Sequence, residues 1–132
     1  MTQHENYPDK QHFPLIVTFK NYQWGVEKLV TKYKTIDTET CDFDGGIVEI
    51  ASIDLNDTEI DYNSQQSHFV NPQKPISISV MAIHHITSEM LELSPFIEDV
   101  IDAYKGADYP VAHNVDFDKR VMPEMDEPFI CT

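Results

Sequence analysis

At 132 residues, with 41% hydrophobic and 24% charged residues, the chain has the size and composition of one folded domain, neither two domains nor a disordered segment. Its 23 acidic and nine basic residues are unevenly spread: residues 1–34 hold five lysines and three acids, the remainder four bases and 20 acids. So negative a surface repels a phosphate backbone, which argues against nucleic acid as a partner unless bound cations intervene.

Nothing approaches the ~20 consecutive apolar residues of a membrane helix, so no membrane partner is expected. The opening "MTQHENYPDKQH" has no apolar run after a basic start and does not read as a secretory signal. Cys41 and Cys131 form neither a metal-ligand pattern nor a disulfide framework, which suits a reduced, cytoplasmic chain.

In chain order, residues 1–12 read as a polar leader and "HFPLIVTF" (12–19) as a short strand. From Trp24 to Tyr33, Val26, Leu29, Val30 and Tyr33 fall at the spacing of one helix face, predicting a helix that Gly25 weakens. "TKYKTI" leads into Asp37, and its lysines make it a poor candidate for a strand buried on both faces. "GGIVEIASIDL" (45–55) and "EIDYNSQQSHFV" (59–70) read as paired strands turning at "NDT". Residues 77–91 suggest short helices, with Thr87 and Ser88 as candidate caps.

The clearest element is "SPFIEDVIDAYKG" (94–106), a helix capped by Ser94, with Pro95 in its first turn and Gly106 as its stop. "YPVAH" (109–113) is a strand, and Asn114 caps a helix running to about Met122, ended by Pro123. "PFICT" (128–132) is a last strand. Three strands joined by hairpin turns, then helix-connected strands, predict an α/β fold with a mixed sheet. No further helix follows the last strand, so one apolar sheet face is expected to lie bare, inviting self-association or a protein partner.

Asp37 and Glu39 stand two apart in "KTIDTETCDF". Acid-x-acid recurs at 42/44, 57/59, 59/61, 116/118 and 124/126, so the spacing alone means little. Context distinguishes the first pair: on extended backbone both side chains point the same way, and neighbouring like charges are costly unless a cation bridges them. A calcium loop centred on "DFDGG" is excluded, because Thr40 and Ala51 would occupy the end positions that require carboxylate. In "VAHNVDFDKRV" (111–121), Asp118 lies on the first turns of a helix leaving the sheet, within reach of the sheet edge that holds Asp37. Asp116 serves simply to complement that helix terminus.

"IDTETCDFDGGIVEIASIDL", "HFVNPQKPISISVMAIHHIT" and "YPVAHNVDFDKRVMPEM" together resemble the proofreading-type DEDD 3′–5′ exonucleases, which share the ribonuclease H-like fold. The resemblance covers about residues 35–132, a partial exonuclease domain, and leaves 1–34 as an N-terminal extension without an assigned structure. It implies that Asp37, Glu39 and Asp118 are catalytic and hold two Mg²⁺ or Mn²⁺ ions, hard cations suited to carboxylate oxygen. It also implies single-stranded DNA 3′ ends as substrate. Thr38, Ile83 and His84 would touch the terminal nucleotide, although Ile83 reads equally well as core and His84 as a loop residue.

The family's third motif, a His followed five residues later by Asp on a helix after the last strand, has no counterpart here. His113 and Asp118 have that spacing, but Asp118 already belongs to the second motif. The resemblance therefore implies a 3′–5′ DNA exonuclease whose site is incomplete in this chain. The alternatives are a catalytically silent metal- or DNA-binding module and an interaction module.

Overall fold

The computed structural model describes residues 15–20 and 23–132, with side chains from residue 29 onward. The polar leader lies outside the described residues. The chain divides into two compact units, residues 1–30 and 31–132. The first contains β1 (Leu15–Lys20) and β2 (Gln23–Lys28), an antiparallel pair with Val17 opposite Val26. The predicted helix over 24–33 is therefore corrected: its first half is strand. Its apolar residues matched a helical period, but β-branched and aromatic residues beside a close antiparallel partner favour extended backbone.

The second unit is built on a five-stranded mixed sheet of order β5-β4-β3-β6-β7. β3 (Lys32–Thr40), β4 (Ile47–Asn56) and β5 (Glu59–Phe69) form an antiparallel meander, and β6 (Tyr109–Ala112) and β7 (Ile130–Cys131) join it in parallel. This is the predicted α/β architecture. β3 lies at its centre despite its two lysines. Lys34 is buried and reaches Asp54, its direct cross-strand neighbour, at 2.6 Å, so the charge is matched within the sheet.

The two sheet faces differ. One is sealed by Ile36, Ile47, Ile50 and Val70 packing on Ile101, Tyr104 and Met122, contributed by the helical segments between β5 and β7. Tyr104 is fully buried; its hydroxyl donates to the Ile50 carbonyl at 2.9 Å and lies 2.6 Å from His68 Nδ1. Since the single hydroxyl proton goes to Ile50, His68 Nδ1 carries the hydrogen in that contact. On the other face, α1 (Ile78–His84) and α2 (Ser88–Leu91) cover Cys41 and Val48 through Val80, Ile86 and Leu91. The rest of that face forms an open groove of about 340 Å³ lined by Thr35, Asp37, Ala51, Ile53, Tyr62 and Ser67, among others.

The helix predicted over 94–106 is shorter and mixed: α3 (Ile97–Val100) runs into a 3₁₀ turn, Ile101–Tyr104. Ser94 and Pro95 stay outside because Asn71 N–H bonds the Pro95 carbonyl at 2.8 Å, pinning that stretch to the end of β5. Asp99 instead accepts from Phe96 N–H at 3.2 Å and closes the first turn. Gly106, at φ +91°, terminates the segment in backbone that only glycine adopts freely. In α4 (Val115–Val121), Asn114 caps as expected, its side chain accepting from Phe117 N–H at 3.4 Å. Thr87 precedes α2 in extended backbone but makes no side-chain cap. Among the described residues no helix is long and apolar enough to cross a membrane, and both cysteines are free thiols.

Candidate active site

β3 positions the first two acids. Asp37 lies opposite Ala51, and Glu39 lies opposite Glu49. Strand alternation puts both acids on the open face and turns Thr38 to the covered one. β6 pairs with β3 only from Tyr33 to Thr35, so beyond Thr35 that edge of β3 is free. α4 begins just after β6, and at this edge Asp118 meets the strand: Thr38 Oγ1 donates to Asp118 Oδ1 at 2.8 Å. Thr38 is 8% exposed and Asp118 5%. Two residues separated by 80 positions are thus tied inside the fold.

The electrostatics follow from this placement. Burial, then the charge of Asp37, raises the Glu39 carboxyl above its ordinary range; Glu49 adds to the rise and His84 opposes it. Burial is also the main cause raising Asp118, with Asp37 contributing, while the Thr38 hydrogen bond pulls the other way. Asp37 therefore acts on both of its fellow acids. None of the described ion pairs involves any of the three. Mutually repelling oxygen donors without a basic partner suit hard divalent cations. The fit is one of donor chemistry, because among the described residues no three His, Cys, Asp or Glu side chains close into a ready-made cage. Asp118 is tethered from the covered face by Thr38, whereas Asp37 and Glu39 project from the open one.

The remaining candidates fall beside this edge. Ile83 is 68% exposed, so it is not a core residue. It lines a pocket of about 160 Å³ with Glu39, Phe43, Val80, His84 and Phe117. His84 is fully engaged: Ile86 N–H donates to its Nδ1 at 3.0 Å, so Nε2 carries the proton and donates to the Thr40 carbonyl at 3.0 Å. With both nitrogens committed, the ring anchors α1 to the end of β3 and is not free to act as a base. Thr38 also lines this pocket, and its hydroxyl donates to Asp118.

Sequence reasoning gave neither Phe43 nor Phe117 a role. The available signal was an aromatic residue in an otherwise acidic turn, "CDFDGG", which the calcium-loop comparison passed over. Arg120 lies over the Phe117 ring at 5.5 Å and approaches Asp44 to 3.8 Å.

The chain is similar to known proteins in sequence and fold. The family model described as "Exonuclease" matches residues 35–131. The chain belongs to the exonuclease family. Among members of that family, it is 54% identical over 99 residues to Exodeoxyribonuclease 10 of Escherichia coli K12, an alignment covering 75% of this chain and 44% of that protein. It is 33% identical over 92 residues to the PolC-type DNA polymerase III of Bacillus subtilis, covering 65% of this chain and 6% of that one. A solved structure titled "Exonuclease X in complex with 5′ overhanging duplex DNA" superposes with a TM-score of 0.71 at 52% identity, covering 75% of this chain and 58% of that chain. The chain thus spans less than half the length of the exodeoxyribonuclease it matches. The ribonuclease H-like exonuclease fold and the DEDD 3′–5′ resemblance are both supported.

Proposed function

We propose that this chain carries a metal-dependent 3′–5′ DNA exonuclease site that releases nucleotides from DNA 3′ ends. The observation that carries the reading is the Thr38–Asp118 hydrogen bond, which brings the second acidic motif to the strand holding the first. The family match supports the reaction class, and the DNA-bound structural relative supports DNA as the ligand. Asp37, Glu39 and Asp118 are the residues that would hold two Mg²⁺ or Mn²⁺ ions. Such ions supply Lewis acidity and an activated water near neutral pH. They also offset the repulsion between a chain of net charge −14 and phosphate.

The chain's own residues do the rest. Ile83, Phe43 and Phe117 give the terminal base an apolar seat beside the acids. The locked His84 fixes the wall of that seat. A general base comparable to the third-motif histidine does not come from His84, and no His-x₄-Asp pair follows α4 in these 132 residues. The free thiols suit our placement of the protein in the cytoplasm.

A second reading is a silent metal- or DNA-binding module, or an interaction module, favoured by the open groove over Ala51 and Ile53. A partner or a second copy seated there would cover the exposed face. A 3′-labelled single-stranded oligonucleotide with Mg²⁺ separates these readings. Nuclease activity in wild type that Asp37→Ala abolishes supports the first. Binding without cleavage supports the second, and cleavage surviving Asp37→Ala indicates a contaminant.

A further inference from the structure

We infer that Thr38 is a positioning residue whose hydroxyl sets the place of Asp118 for cation capture; this rests on the nuclease reading above. Thr38 occurs between the two acids of the first motif, where contact with substrate was the natural expectation. Thr38 lines the pocket beside Glu39 and Ile83, and its hydroxyl makes a further contact. Its hydroxyl is inside the protein, donating to a carboxylate that is itself almost wholly buried.

Two features make the contact more than packing. First, α4 and β3 are not hydrogen-bonded sheet neighbours, so no ladder fixes Asp118 relative to β3. The hydroxyl makes a direct polar link between the two motifs. Second, a hydroxyl that donates to Oδ1 leaves the carboxylate's other lone pairs available, whereas an amine or guanidinium would neutralise the charge. The link therefore orients Asp118 without cancelling its attraction for a cation. Losing a group that orients a metal-binding carboxylate in this way typically costs about 10- to 100-fold in metal affinity.

The test is calorimetric titration of the full 132-residue chain with Mn²⁺ at neutral pH, on wild type, Thr38→Val, Thr38→Ser and Asp118→Asn. Valine keeps the shape and removes the donor; serine keeps the donor. Thr38→Val is expected to weaken Mn²⁺ binding about 10-fold or more, Thr38→Ser to bind as wild type does, and Asp118→Asn to bind weakest. Urea denaturation establishes that each variant is folded. If Thr38→Val does not fold, Thr38→Cys, with its weak S–H donor, replaces it under the same expectation of lowered affinity. Unchanged affinity in a folded Thr38→Val or Thr38→Cys protein overturns the inference and leaves the nuclease reading standing. A wild type that gives no heat, or heat that Asp118→Asn does not reduce, overturns the nuclease reading and this inference with it.

Discussion

Replacing Asp118 by Asn is expected to stabilise the metal-free protein while removing its response to divalent cations. Asn retains an Oδ1 acceptor for the Thr38 hydroxyl, so the 2.8 Å bond survives. What disappears is a buried negative charge repelled by Asp37. Relief of such a functional-site cost is typically worth about 0.5–2 kcal/mol, at roughly 4 °C in Tm per kcal/mol for a chain of this size.

The pH dependence follows from the raised carboxyl of Asp118. A raised acid stabilises the fold fully below its unfolded-state value, about 3.9 for Asp, and that contribution is lost as pH rises through the folded value. The advantage of Asp118→Asn should therefore be present at pH 7.5 and vanish near pH 3. Adding Mn²⁺ should reverse the order, since ligand at about 100 times its Kd stabilises wild type by about 2.7 kcal/mol. Urea denaturation in EDTA at both pH values, then with Mn²⁺, measures all three quantities. If Asp118→Asn is the less stable protein in EDTA at pH 7.5, the charge is not a burden and the electrostatic argument is wrong.

Tyr104→Phe removes a buried hydroxyl with two partners and should cost about 1–3 kcal/mol by urea denaturation. Burial pushes the Tyr104 phenol up to about 12. Wild type should therefore hold its stability to about pH 10 and lose it as pH rises through that folded value, a loss absent in the Phe variant. At the buried ion pair, Asp54→Ala strands the Lys34 ammonium and should cost about 3 kcal/mol or more, whereas Lys34→Met should be far milder. Equal losses from the two would show that desolvation of Lys34 is not the governing cost. Gly45→Ala would place a Cβ 2.6 Å from Cys41 Sγ and 2.8 Å from the Asp42 nitrogen. That loop must shift, at about 1–3 kcal/mol, read as a lowered Tm.

The meander and the helix-connected strands were legible because their signals are local: alternation over 47–56, the Asn114 cap, and Gly106 at its positive φ. The Trp24–Tyr33 period misled, since a few apolar residues fit a helical template by chance and the strand partner that decides the matter lies outside the window. Lys34 argued against a central β3 because a sequence does not reveal that Asp54 will stand directly across from it. The three acids were proposed from spacing and resemblance together. The task of Thr38 was not, because it depends on a partner 80 residues away. The closed ring contacts of His84 were equally hidden, since both are made to backbone atoms that look alike in any sequence.

β3 changes character halfway along its length. Through Thr35 it is clamped by neighbours on both sides, and from there onward it is held by β4 alone. Rigidity is thus borrowed from the first half and access granted by the second, so the acids sit on stiff backbone without being walled in. Damage to the strand pairing of the first half should therefore appear as lost stability, and substitution of Asp37 as a protein that still folds.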